Sequence, residues 1–477
     1  MTAGTVTREG MPTHEGDLSI EARGMEPIPE DARYGSVGRI FTVWFTPNLV
    51  PAAFVIGTLA AAPFINLGFW TSLAAVIVGN IAGSLLVGIL GQMGPRTGMA
   101  QMPLARLAYG KSIVLPGVLN WLSCIGWDGI NSVFGAAAIA LLTGLPFPVA
   151  LLIIVLAQGA LGVIGYEGIH TFEKYMAIVL GIMFAVLTIV ILPKAGSGIA
   201  RADGVSGADQ LGAFVLLAAI VASFVLAWAL YASDYSRYLP ANTSGSKIFT
   251  RTILGLSLSA GWIELLGLLV ADQVGDKGAV PAINDILGGG LLGALAMIAI
   301  AVGTIAVNAM NDYTGSLSLQ AAGLRVPRVY SAVAVAVLGF LFTLYLNSGD
   351  FVSKFESYLL FISYWIAPWA AVVVVDWRLR DKRADVAGLL DFARLPSGLL
   401  AVASLIIGFV VSLPFQQSAF GEELRKSTGL PINAISDDVL HYADFAYIVG
   451  FIVAAAVFLI GSRARATERN TERVSAV

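Results

Sequence analysis

The sequence is short of charge. Only 12% of its 477 residues are Asp, Glu, Lys or Arg, about half the share usual in a soluble globular domain. With 57% hydrophobic residues and a mean hydropathy of +0.81, this excludes a soluble fold and marks an all-α integral membrane protein. Cysteine is nearly absent: the single Cys124 excludes internal disulfides and a cysteine metal site. The three histidines, His14, His170 and His441, fall outside the strongest apolar runs, which argues against a histidine relay or a histidine metal cluster in the membrane. No basic run is long enough for a nucleic-acid partner, and the net charge is −3. The first 38 residues are polar, carry Pro12, Pro27 and Pro29, and hold no apolar signal-peptide core. No cofactor, metal or catalytic residue is expected.

What is present is a succession of apolar runs, each about the 20 residues needed to cross a bilayer. They cover 40–62, 66–91, 113–142, 147–165, 172–193, 211–233, 250–271, 287–312, 328–346, 355–375, 396–414 and 441–461. The expected organisation is a cytoplasmic tail over 1–38, a twelve-helix domain over 39–462 and a second cytoplasmic tail over 463–477. With both termini inside, eighteen Lys and Arg fall in cytoplasmic loops and the C-terminal tail. Only six, Lys194, Arg201, Lys277, Lys354, Arg425 and Lys426, fall outside, and the other four, Arg8, Arg23, Arg33 and Arg39, precede the first apolar run. Moving the register by one helix would invert this bias, so the positive-inside tendency fixes an even number of spans.

Several stretches depart from what hydrocarbon demands. In Gly126-Trp-Asp-Gly-Ile-Asn-Ser-Val-Phe-Gly135 an Asp and an Asn sit inside an apolar run, and either one facing lipid would cost several kcal/mol. Trp127 and Asn131 are four apart on one helical face, and Gly135 leaves room one turn on. An indole beside an amide suits a flat polar ring, yet the pair also suits packing plus an interhelical hydrogen bond. The first run contains Trp44-Phe-Thr-Pro-Asn-Leu-Val-Pro51, whose two prolines free carbonyls at mid-span. Such a break serves ion and substrate sites in transporters, or is a plain kink satisfied by neighbouring side chains.

The eighth run places Asn308 and Asn311 three apart near its expected cytoplasmic end, as helix glue or a hydrogen-bonding wall. The sixth passes from Ser223-Phe224 through Trp228 into Tyr231-Ala-Ser-Asp-Tyr-Ser-Arg-Tyr-Leu-Pro240, where Asp234 and Arg237 are spaced for an inner-gate ion pair or for surface charge. Asp128 and Glu264 are the acids at membrane depth and the candidates for handling a proton. Gly79 and Gly83 have the small-residue spacing of close helix packing.

Taken in order, Gly126-Trp127-x-x-x-Asn131, Tyr231 to Pro240, Gly94-Pro-Arg-Thr-Gly-Met-Ala-Gln-Met102 and Asn308-x-x-Asn311 resemble the nucleobase:cation symporter-1 family, in its purine-cytosine permease branch. Ala22 to Glu30 is similar too, and the likeness runs from about residue 20 to the end of the tenth helix. It implies two inverted five-helix repeats of the leucine-transporter type plus two C-terminal helices, with helices 1 and 6 broken. It also implies uptake of a nucleobase or related heterocycle coupled to Na⁺ or H⁺. Carried over, it makes Trp127 the stacking residue and Asn131 its polar neighbour. Phe224, or a residue within one of it, becomes the second aromatic, Thr46 a polar position of helix 1, and Asn311 the amide that bonds the ring, with Asn308 beside it.

In sodium-coupled, hydantoin-transporting members the ion rests on carbonyls corresponding to Thr46 and Leu49 and on two hydroxyls of helix 8. Those hydroxyl positions hold Ile305 and Ala306 here, and neither offers oxygen to a hard cation. Thr304, one residue away, would supply a ligand only if the alignment slips. The expectation is therefore a cell-membrane symporter importing cytosine or a purine by alternating access, with protons as the coupling ion. The alternatives are a sodium-coupled permease for uracil, hydantoin or allantoin, or a membrane channel. An embedded enzyme is disfavoured, since no nucleophile and base pair at depth.

Overall fold

The computed structural model describes residues 25–164, 166–324 and 326–475. Among them nine helices are long and apolar enough to cross a membrane. Two further pairs are bent at a break, and Phe147–Leu161 is a shorter apolar helix. Together they account for the twelve expected stretches. We number them α1a (Val37–Phe45) and α1b (Pro51–Thr58), α2 (Phe69–Gly91), α3 (Val114–Thr143), α4 (Phe147–Ile164) and α5 (Tyr166–Ile191). These are followed by α6 (Gly207–Leu226), α7 (Gly245–Leu269), α8 (Gly290–Ala321), α9 (Arg328–Asn347), α10 (Phe351–Leu379), α11 (Leu399–Ser412) and α12 (Ala446–Ser475).

The first span breaks where its prolines predict. α1a continues through a 3₁₀ turn over Thr46–Asn48, the chain turns extended at Val50, and α1b starts at Pro51 with its axis bent by 68°. Proline at the first helical position suits that restart, because its missing N–H has no partner there anyway. α6 loosens without a sharp bend: its α-helix ends at Leu226 and tightens into 3₁₀ turns over Ala227–Tyr231. α8 runs nine residues past its expected end, to Ala321. Asn308 and Asn311 consequently lie well inside the helix, away from its C-terminal end. The hydropathy falls there because Ser316 and Ser318 are polar, yet both are buried, and Ser318 accepts a 2.7 Å bond from Asn120 of α3.

α2 packs on α6 through Gly79 and Gly83. A Cβ at either would stand 2.5 or 2.4 Å from the Ala218 or Ala222 carbonyl oxygen, so the small-residue spacing is close packing. α3 lies along α8, with α4 and α9 beside them, and α7 lies against both halves of α1. The end of α8 is tied to the loop after α10 by Arg106, which is 3% exposed and donates to the carbonyls of Gln320, Ala321 and Leu389.

Candidate functional site

The motif on α3 faces α6, α8 and α10. Trp127 is partly exposed in the protein interior, and its ring meets Phe224 of α6 edge-on, centroids 5.8 Å apart at 68°. Tyr358 of α10 meets it from another side at 5.5 Å and 90°. A flat ring between Trp127 and Phe224 needs two contact distances of roughly 3.5 Å each. Their edge-on approach leaves no such gap, so the expected Trp127–Phe224 sandwich is not assembled in this conformation. Tyr358 was not legible in the sequence, although Gly126 carries its trace. A Cβ at Gly126 would lie 2.2 Å from the Tyr358 ring, and the Tyr358 hydroxyl donates to the Ser123 carbonyl at 2.8 Å.

Gly135 makes room as expected, but for protein. A Cβ there would meet Thr304 at 2.8 Å, and the Thr304 hydroxyl donates to the Asn131 carbonyl at 3.3 Å. Thr304 is thereby engaged with α3 and not with the break in α1, which weakens its case as a sodium ligand. The Thr46 carbonyl accepts from the Leu49 N–H at 3.2 Å, and the Leu49 side chain packs against Gly181 of α5. Ile305 is partly buried and Ala306 fully so.

The two amides of α8 separate cleanly. Asn308 is 0% exposed and donates to Ser132 at 2.8 Å, to Gln158 of α4 at 3.1 Å and to the Asp128 carbonyl at 3.3 Å. It joins α8 to α3 and α4. Asn311 is partly exposed, and its amide nitrogen is buried with no hydrogen-bond partner among the described residues. An unmet donor in a membrane interior is costly unless something else supplies the acceptor. Asn311→Ala should therefore weaken substrate binding by about 1–3 kcal/mol, whereas Asn308→Ala should act mainly on stability. Binding isotherms and melting curves on both variants check this, and weaker binding from Asn308→Ala alone would reverse the assignment.

A residue passed over in the sequence sits at the break itself. Asn48, fully buried, donates to the Trp44 carbonyl at 2.9 Å and to Ser259 of α7 at 3.1 Å. It also accepts from the Trp228 indole at 3.1 Å. Its amide thus caps the end of α1a and links α1 to α7 and to the 3₁₀ segment of α6. Trp228 is partly buried, meets Trp44 and Tyr231 edge-on at 6.0 Å, and packs against the Ala309–Met310 pair of α8. The Tyr231 hydroxyl donates to Asn120 of α3 at 2.9 Å.

The acids fall in different places. Asp128 is fully buried behind Trp127 and accepts a 3.0 Å bond from the Gln158 side chain, which also reaches Asp312 of α8 at 3.4 Å. Glu264 is fully buried against Asn80 of α2, which donates to it, and no bond joins it to the α3–α8 network among the described residues. Asp234 accepts a 2.7 Å bond from the Gln101 N–H, fastening the end of α6 to the short helix Gln101–Tyr109. Arg237 is 4% exposed and donates to the Tyr238 hydroxyl. Arg237 thus lies inside the protein, and Asp234 is half-buried. No group of three or more His, Cys, Asp or Glu among the described residues could hold a metal ion.

Residues 27–450 match the family described as permeases for cytosine/purines, uracil, thiamine and allantoin. The purine-cytosine permease fcyB of Emericella nidulans is 29% identical over 427 residues, spanning 83% of this chain and 81% of the relative. The cytosine permease of Escherichia coli is 23% identical over 364 residues, 75% of this chain and 81% of that one. Among solved structures, Mhp1, a nucleobase-cation-symport-1 family transporter, superposes in a closed, bromovinylhydantoin-bound form with a TM-score of 0.72. That match is at 18% identity over 93% of this chain and 96% of that one. The inward-facing form gives 0.74, at 18% identity over 93% of each chain.

Proposed function

The chain belongs to the family of permeases for cytosine/purines, uracil, thiamine and allantoin, and from that membership we propose that it imports cytosine or a purine across the cell membrane by alternating access, driven by protons. As a permease it is a multi-pass membrane protein and not an enzyme. The observation that carries the substrate class is the partnerless Asn311 amide on α8, which packs along α3 where the Trp127 indole is only partly covered. A planar heterocycle with ring acceptors meets both, by stacking on Trp127 and by accepting from Asn311, while Asn131 completes the edge. On the α6 side Trp228, packed against the Ala309–Met310 pair of α8, is better placed than Phe224 to close over the base, because Phe224 already covers the edge of Trp127. The N- and C-termini face the cytoplasm in this reading, following the asymmetry of basic residues.

Protons are favoured over sodium because the helix 8 positions facing a family-type ion site are Ile305 and Ala306 and the Thr304 hydroxyl is engaged elsewhere. Uptake of labelled cytosine by cells or proteoliposomes should be saturable, abolished by a protonophore and indifferent to replacing Na⁺ with choline. It should rise as external pH falls from about 8 towards 6, because proton binding to the outward-facing carrier is then favoured. Competition by adenine, hypoxanthine, uracil, hydantoin and allantoin ranks the substrates. Uptake that needs Na⁺ and ignores the protonophore at clamped membrane potential would overturn proton coupling. Non-saturable flux would point to a channel.

A further inference from the structure

Resting on the proton-coupled reading, we propose that Asp128 and Asp312 hold one proton between them across Gln158, and that this pair is where the coupling proton binds. Gln158 is the one polar side chain in Phe147–Ile164 and is fully buried. Its amide nitrogen serves both acids, Asp128 at 3.0 Å and Asp312 at 3.4 Å, while its oxygen accepts from Asn308. The donors are then used up. Asp128 Oδ2, Asp312 Oδ1 and Asn308 Oδ1 are buried acceptors with no donor, on side chains that are 0%, 5% and 0% exposed. Three acceptors without a hydrogen among them call for a ligand that brings one.

The surroundings offer no other charge compensation. From α3 the neighbours are Cys124 and Ser132, from α8 Asn308, and from α9 Gly339. Tyr231 of α6 and Tyr358 of α10 lie beyond Cys124. Neither acid has a Lys or Arg partner among the described residues. A metal ion fits the site poorly. Gln158 directs N–H groups at the carboxyls, and a Cβ on Gly339 would stand 2.3 Å from Asp128 Oδ2, which leaves no room for a coordination shell. The chemistry is a simple exchange: an O–H bond forms on one carboxylate when the site faces outside and breaks when it faces inside.

The position explains how a proton could act on a base that it never touches. Asp128 directly follows Trp127 on α3, and Asp312 directly follows Asn311 on α8. With the proton bound, one carboxyl is neutral and the two helices can hold the stacking ring and the reading amide in register. Without it, two carboxylates on one amide repel and shift both side chains.

Full-length protein in proteoliposomes, with labelled cytosine as probe under an inward pH gradient, tests the pair. Wild type should concentrate cytosine, whereas Asp312→Asn and Asp128→Asn should only equilibrate it. Asp312→Glu, which keeps the acid, should recover part of the concentrating power, and size-exclusion profiles report on folding. Independently of transport, infrared difference spectra on adding cytosine should show a protonated-carboxyl band in wild type that either Asn variant lacks. Wild-type accumulation by Asp312→Asn, or an unchanged carboxyl band, overturns the pair. Loss of accumulation in Glu264→Gln alone places the proton on α7 and overturns the pair while proton-coupled import stands. Accumulation by wild type only in the presence of Na⁺ overturns the proton-coupled reading itself.

Discussion

Trp127→Ala should weaken nucleobase binding on the order of 10–100-fold, since stacking of an aromatic side chain on a base is worth about 1–3 kcal/mol. The indole is held in place before substrate arrives: Tyr358 and Phe224 meet it edge-on at 5.5 and 5.8 Å, and the Tyr358 hydroxyl is fixed to the Ser123 carbonyl. Little side-chain freedom is left to lose when a base stacks, so most of the stacking energy should show in affinity. Trp127→Phe should fall between wild type and alanine. The measurement is the concentration of unlabelled cytosine that halves uptake of the labelled base, on protein shown to be monodisperse. An unchanged value in well-folded Trp127→Ala would move the base to another face of the bundle.

The second large effect is on assembly. Gly57 of α1b and Gly267 of α7 let two backbones touch: a Cβ at Gly57 would stand 1.8 Å from the Glu264 carbonyl oxygen, and one at Gly267 1.9 Å from that of Phe54. Neither obstacle is a flexible side chain that could turn aside. Gly57→Ala or Gly267→Ala must push the helices apart, and overpacking of this kind costs about 1–3 kcal/mol or more. We expect a lower melting temperature and a lower yield of folded protein for each. The double variant should fall short of the sum, because a separation forced by one Cβ already relieves the other. A melting temperature equal to wild type for both single variants would show that α1b is not seated on α7 in the membrane.

The span count and the break in α1 were legible because both follow from one-dimensional signals, apolar run length and proline position. The end of α8 was not, because Ser316 and Ser318 look like a polar exit until Asn120 appears opposite them on a helix almost two hundred positions away. Gln158 could have been found: a lone amide in an eighteen-residue apolar helix has to answer to something. Its partners Asp128 and Asp312 could not, since nothing local pairs α4 with α3 and α8. The choice between Phe224 and Trp228 turned on a change of pitch. α6 passes from α-helix to 3₁₀ at Ala227, so two residues four apart no longer share the face that a uniform 3.6-residue period assigns them. Asn48 was not legible because its partners Ser259 and Trp228 lie on other helices about two hundred positions away.

The bonds made by Asn48 also say where the molecule can slide. With Ser259 and Trp228 they fasten α1, α7 and the end of α6 into one block, to which Asn80 and Glu264 fix α2. Asn308 and Gln158 do the same for α3, α4 and α8, and Thr343 adds α9 through the Gly129 carbonyl. Between the blocks lie mostly ring and side-chain packing contacts, Trp127 on Phe224 and Trp228 on the Ala309–Met310 pair, with a few hydroxyl bonds: Tyr231 to Asn120 and to the Cys124 sulfur, and Tyr235 to the Met310 sulfur. Dispersion contacts of this kind are weak singly and indifferent to direction. A few ångströms of shear along this seam therefore exchange one set of ring contacts for another, while nearly every directional bond travels intact within its own block.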